Sequence, residues 1–129
     1  MTEPVILAMP YPPSANRLWR AVKGRNIISA EYRSWKDRAG WEVRSQRPRV
    51  VIGAYHLTIT ATRPDRRRRD LGNLEKPISD CLVESGVLGD DCDAQRITLE
   101  WTDAIIKGGA VTVRIIEAPL EPQESPAWA

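Results

Sequence analysis

The stretch RRRRDLGNLEKPISDCLVESGVLGDDCD, residues 66–93, decides the reading of this chain. It opens on four arginines, Arg66, Arg67, Arg68 and Arg69. Carboxylates follow at Asp70, Glu75, Asp80, Asp90, Asp91 and Asp93, with Lys76 among them. Inside it, residues 73–85 have helical spacing, because Leu74, Ile78, Cys81, Leu82 and Ser85 fall along one side. Asn73 is the expected N-cap, Pro77 lies in the first turn where proline does least harm, and Gly86 is a natural stop. Lys76 and Asp80 form an i, i+4 pair on a different face. Residues 87–91 read as a turn.

Strand patterns flank this helix on both sides. Residues 50–62, VVIGAYHLTITAT, alternate Tyr55, Leu57, Ile59 and Ala61 with His56, Thr58 and Thr60. His56 is then a polar-face strand residue. Residues 96–102, RITLEWT, alternate as cleanly, with Ile97, Leu99 and Trp101 on one face. Gly108 and Gly109 predict a hairpin, with residues 110–117 as its return strand. Toward the N-terminus, residues 4–10 predict a short strand, and residues 11–26 a Pro-rich loop carrying Arg17, Arg20, Lys23 and Arg25. Residues 28–46 predict a helix capped by Ser29, with Tyr32, Trp35, Ala39 and Val43 at helical spacing. The order β-α-β-α-β-β predicts an α+β fold: a small mixed β-sheet with two helices packed on it. The domain is expected over residues 1–117, with a Pro-rich C-terminal tail at 118–129.

A chain of 129 residues is one domain. No apolar run is long enough to span a bilayer, and the N-terminus lacks the pattern of a secretory signal. Two cysteines without a CxxC pair, and the single histidine His56, leave too few nitrogen and sulfur ligands for zinc. A reduced interior Cys81 fits a cytoplasmic protein.

The net charge of +2 conceals an asymmetry. Residues 1–69 hold 15 Lys/Arg against 5 Asp/Glu, whereas residues 70–129 hold 4 against 12. A basic surface beside an acidic locus suits a polyanion held next to a divalent cation. Mutual neutralisation of the two halves is the plainer alternative. Carboxylates are hard oxygen ligands suited to Mg²⁺ or Mn²⁺. If folding brings Asp70, Asp90 and Asp91 together, a bound metal would activate water and steady a phosphoryl oxygen. Lys76 would assist at the phosphate, and the arginines at 66–69 would hold flanking phosphates.

Three segments resemble the RusA family of Holliday-junction endonucleases. YPPSANRLWR (11–20) is similar to a Pro-Pro-Ser-x-Asn loop followed by an aromatic and a basic residue. DLGNLEKPISDCL (70–82) resembles the pattern Asp-x-Asp-Asn-x-x-Lys-x-x-x-Asp-x-Leu, and SGVLGDD (85–91) resembles a Gly-Val/Ile-x-x-Asp-Asp turn. The resemblance implies a homodimer that cuts four-way DNA junctions by Mg²⁺- or Mn²⁺-dependent phosphodiester hydrolysis, with symmetric nicks. Asp70 and Asp91 would be metal-binding catalytic acids, with Asp90 a further metal ligand, and Lys76 the essential lysine. Asn73, Asp80 and Glu75 are candidates for supporting the site. Helix capping competes with that role for Asn73, and simple pairing with Lys76 competes for Asp80. Arg17, Trp19, Arg20, Lys23 and Arg66 to Arg69 are the expected DNA contacts. For Trp19, base stacking competes with anchoring the loop against the sheet.

One departure matters: Gly72 stands where the pattern has a second acid. Glu75 or Asp90 would have to supply the lost oxygen if the same chemistry is retained. Otherwise the protein would bind branched DNA with weak or absent cleavage. An alteration made to trap a complex is disfavoured, since glycine also changes backbone freedom.

Overall fold

The computed structural model describes residues 3–14 and 17–118. Its elements are β1 (Val5–Met9), β2 (Trp19–Val22), β3 (Arg25–Ile28), α1 (Ala30–Ser45), β4 (Tyr55–Arg63), α2 (Glu75–Glu84), β5 (Ala94–Ile105) and β6 (Ala110–Glu117). Four strands form a mixed sheet in the order β1-β6-β4-β5. β4 and β5 run parallel, and the other two pairings are antiparallel. The α+β class read from the sequence is therefore correct.

The core follows from strand alternation. Val5, Leu7 and Met9 of β1, Leu57, Ile59 and Ala61 of β4, and Val111, Val113 and Ile115 of β6 are all buried. Both helices contribute to the same cluster. α1 adds Tyr32, Trp35, Ala39 and Val43, and α2 adds Ile78, Cys81 and Leu82. The apolar stripe of α1 is thus core, whereas Trp41 on the same helix is 66% exposed. Cys81 and Cys92 carry free thiols, with Cys81 buried as expected. Among the described residues no helix is long and apolar enough to cross a membrane.

Local chemistry sets the element ends. The Ser29 hydroxyl accepts from the Tyr32 N–H at 3.0 Å and caps α1. At the other end, the Gln46 side chain accepts from the Ala8 N–H at 2.9 Å and donates to the Ala8 carbonyl at 2.8 Å. It thereby satisfies the outer edge of β1, where no further strand pairs. The indole N–H of Trp35 donates to the Pro10 carbonyl at 3.1 Å, tying the following Pro-rich loop to the core.

Four expectations are corrected. The loop expected at 11–26 contains a β2–β3 hairpin, turned by Lys23 and Gly24 at φ 51° and 77°. Two successive positive φ values are what a two-residue turn needs to match strand twist. The strand expected from residue 50 begins at Tyr55, since Gly53 at φ 79° breaks the run. Val51 instead bridges to Leu88, its N–H donating to the Val87 carbonyl at 2.8 Å. Asn73 does not cap α2. A 3-10 turn over Leu71–Leu74 precedes that helix, and Asp70 caps the turn by accepting from the Gly72 N–H at 3.0 Å.

The last correction is topological. β6 is not the hairpin partner of β5, because β4 lies between them. Residues 106–109 pass over the end of β4, where the Ile106 N–H donates to the Arg63 carbonyl at 3.0 Å. β4 takes the centre because its buried face is apolar along most of its length. Gly108 and Gly109 still make the turn, both at positive φ, and a Cβ on Gly109 would fall 2.7 Å from the Tyr11 ring. The expected tail, residues 118–129, lies outside the described residues apart from Ala118, whose N–H donates to the Ala54 carbonyl at 2.9 Å.

Candidate functional site

The site is built on two short acidic turns that both pack against α2. They repeat one local device, an Asp side chain accepting from the N–H two residues on. Asp70 does this to Gly72, and Asp90 does it to Cys92, at 3.0 Å in each case. The first turn leads into α2, and the second, over Asp91–Asp93, leads into β5.

The second turn carries the stronger electrostatic signature. The Cys92 backbone N–H, with other hydrogen bonds, holds the Asp90 carboxyl below the usual carboxylate range. Asp91 is pushed the other way, first by the hydrogen bond it shares with Asp90 and then by desolvation and the Asp90 charge. Lys76 pulls Asp91 back down and Asp80 adds to the upward push. Asp90, Asp91, Lys76 and Asp80 thus form one electrostatic group. Within it, Lys76 Nζ lies 3.3 Å from Asp80 Oδ1 and the lysine side chain remains largely exposed. Glu75, one residue earlier on α2, accepts from the buried Ser79 hydroxyl at 2.7 Å.

Asp70 belongs to an adjoining groove of about 180 Å³, lined by Tyr11, Pro13, Ser14, Arg68, Arg69 and Asn73. A second groove of about 420 Å³ shares the Tyr11–Ser14 wall and adds Arg17, Glu31, Arg67 and others. The Pro-rich loop and the arginine run thus line both grooves, which together form a basic cleft with Asp70 in its smaller part. Trp35 holds the loop wall through Pro10, and the ring of Tyr11 fits against Gly109.

The arginines divide by role. Arg69 is a strut: its Nη2 lies 2.8 Å from Asp65 Oδ2, and its guanidinium sits 5.9 Å from the Tyr11 ring centre. Asp65 also accepts from the Arg67 backbone N–H at 3.0 Å. Arg66, Arg67 and Arg68 are exposed. Arg17 lies 4.0 Å from Glu31. Trp19 and Arg20 are on β2 and Lys23 is in the hairpin turn, so these three project from a small separate sheet. Trp19 is 53% exposed, which removes the buried-anchor reading.

Three residues that line the cleft were not anticipated as site residues. Tyr11, Pro13 and Ser14 form a wall of the cleft, although the motif containing them was recognised. Tyr55 was read only as a core strand residue. Its hydroxyl is buried without a hydrogen-bond partner among the described residues.

The donor chemistry suits a hard divalent cation. No three His, Cys, Asp or Glu side chains among the described residues form a ready cage. Mg²⁺ does not require one, since it keeps several waters and binds through one or two carboxylates plus substrate phosphates. At Gly72 only Asp70 Oδ1, 3.4 Å away, would meet a Cβ, and the backbone there has no positive φ. A side chain at 72 would fit and would stand beside Asp70.

Comparison with known proteins gives this arrangement a family. Residues 10–116 match the family model described as Endodeoxyribonuclease RusA. The crossover junction endodeoxyribonuclease RusA of Escherichia coli strain K12 is 33% identical over 113 residues, which cover 86% of this chain and 92% of that protein. The corresponding proteins of Enterobacteria phage 82 and Shigella sonnei strain Ss046 are each 34% identical over the same span. A match over this much of both chains, on the segments that build the cleft and its acidic turns, places the protein in the RusA family of endodeoxyribonucleases.

Proposed function

We propose that this protein resolves four-way DNA junctions, as a crossover junction endodeoxyribonuclease that hydrolyses phosphodiester bonds with Mg²⁺ or Mn²⁺. The observation that carries this reading is the continuity of the arginine-walled cleft with Asp70, at the foot of the helix that bears Lys76. Arg66, Arg67 and Arg68 neutralise backbone phosphates in the cleft. That binding is independent of sequence and suits a substrate recognised by its branched shape. Arg69 fixes the cleft wall.

Asp70 and Asp91, with Asp90 beside it, are the groups that would hold the cation. When bound, the cation supplies Lewis-acid activation of water and charge stabilisation on phosphate oxygen. Lys76, steered by Asp80, brings a positive charge to the phosphate undergoing substitution. Asp90 accepts from the Cys92 backbone N–H, so its carboxylate arrives oriented. A homodimer would present two such sites to the two equivalent strands of a junction.

The test is nicking of a synthetic four-way junction in Mg²⁺ or Mn²⁺, with paired cuts in opposing strands expected. Tight junction binding with no cutting at any metal concentration would overturn the catalytic part of the proposal. It would leave a junction-binding protein, with Gly72 as the residue that disabled it.

A further inference from the structure

The buried hydroxyl of Tyr55 has no use in the fold as it stands. The residue is 1% exposed, its ring is core, and its oxygen has no hydrogen-bond partner among the described residues. A buried polar atom left unpaired bears the full penalty of its desolvation. Phenylalanine would fill the same space without that cost, so the oxygen needs another explanation.

Its position supplies one. In the sheet register Tyr55 is opposite Ala94, the residue that follows the acidic turn Asp91–Asp93. The parallel register shifts between Tyr55 and His56, at the point where that turn becomes a strand. The carboxylates of Asp91, Asp93, Glu75 and Asp90 all act on the hydroxyl, after burial itself, and together hold its pKa up at about 12. The group therefore stays a neutral donor throughout the physiological range, within electrostatic reach of four carboxylates. An acidic turn that must retain its geometry while a cation binds needs donors behind it, because outer-shell hydrogen bonds orient the carboxylates that ligate metal.

We propose that Tyr55 is a positioning residue for the acidic site: its buried hydroxyl donates, directly or through an ordered water, to the carboxylates of the 90–93 turn and sets them for the divalent cation. This rests on the metal-dependent reading above. The residue touches no substrate and acts only through the acids.

The test is Tyr55→Phe in the full chain, with two readouts besides nicking. Mn²⁺ binding is followed by loss of the free-ion electron paramagnetic resonance signal, for the protein alone and loaded with a four-way junction. Thermal unfolding is followed in parallel without metal. The expected result is Mn²⁺ affinity lowered about tenfold or more, with an unfolding midpoint unchanged or raised. Equal Mn²⁺ affinity in variant and wild type would overturn the inference and leave the metal-dependent reading standing. A midpoint lowered by several degrees would also overturn it, by showing that the hydroxyl has a structural partner. Failure of the wild type itself to bind Mn²⁺ in either state would remove the metal-dependent reading, and this inference with it.

Discussion

At the scale of single residues, Asp91 and Gly72 bear most directly on the chemistry. On the metal-dependent reading proposed above, Asp91→Asn removes a ligand charge while leaving the turn, which Asp90 caps, in place. Nicking should fall below about one-hundredth of wild type, since loss of a ligand should exceed the tenfold to hundredfold cost of losing an outer-shell partner. Junction affinity should stay level or rise, because a negative charge near phosphate is gone. Gel-shift and cleavage assays on one junction separate the two effects, and a collapse of affinity would mark Asp91 as structural. Gly72→Asp is the complementary change. The backbone accepts a side chain there and the new carboxylate would stand beside Asp70. Cleavage rate at limiting Mg²⁺ should rise several-fold; an unchanged rate would show that Glu75 or Asp90 already supplies the oxygen.

At the scale of elements, the turns do more than connect. Gly109→Ala places a methyl against the Tyr11 ring at a backbone conformation with φ 71°. The combined steric cost should be roughly 1–3 kcal/mol in urea unfolding. Because Tyr11 lines both grooves, junction affinity should drop as well. Asp65 organises the arginine loop, and the side-chain hydrogen bond from Arg69 is the first of several influences that lower its carboxyl pKa. A carboxylate lowered in the folded state stabilises above its unfolded value of about 3.9 and loses that contribution as pH falls through the folded value. Asp65→Asn should therefore be less stable than wild type at pH 7, with the gap closing near pH 3 in parallel urea titrations. An equal gap at both pH values would argue against the ion pair.

Elements with a strong period were legible in advance. α1 and its Ser29 cap, the apolar face of α2 and the alternation of β4 follow directly from residue spacing. The β2–β3 hairpin was not, because Lys-Gly is a weaker turn signal than Asn-Gly and the flanking WRAV and RNII segments are mostly exposed. The expected Asn73 cap of α2 was not borne out, because a 3-10 turn capped by Asp70 leads into the helix, which starts after Leu74 without a side-chain cap. Of the site, the acids, Lys76 and the arginines were legible as types in sequence. The division between Arg69 as strut and Arg68 as exposed cation depends on Asp65 and Tyr11, four and 58 residues away, and no local pattern encodes it.

At the scale of the whole molecule, the basic half of the sequence supplies a cleft that contains Asp70. Junction binding should weaken steeply with salt. Arg68→Ala should reduce the slope of log affinity against log salt by about 1, the signature of one lost phosphate contact. Arg69→Ala should act mainly on stability, lowering the urea midpoint through loss of its ion pair with Asp65. Equal salt slopes for Arg68→Ala and wild type would take Arg68 off the DNA path.

The pairing of β1 with β6 has a consequence for how the protein comes into being. Residues 5–9 find their partners at 111–115, so the first strand to leave the ribosome waits for the last. Until then the strip between β1 and β4 stands open, and the anchor that ties Pro10 to Trp35 closes on an incomplete sheet. The cleft wall beginning at Tyr11 rests on Gly109, which is synthesised almost a hundred residues later. A nascent chain therefore has no finished cutting site while it is still being translated, and competence against DNA arrives only with nearly the whole domain.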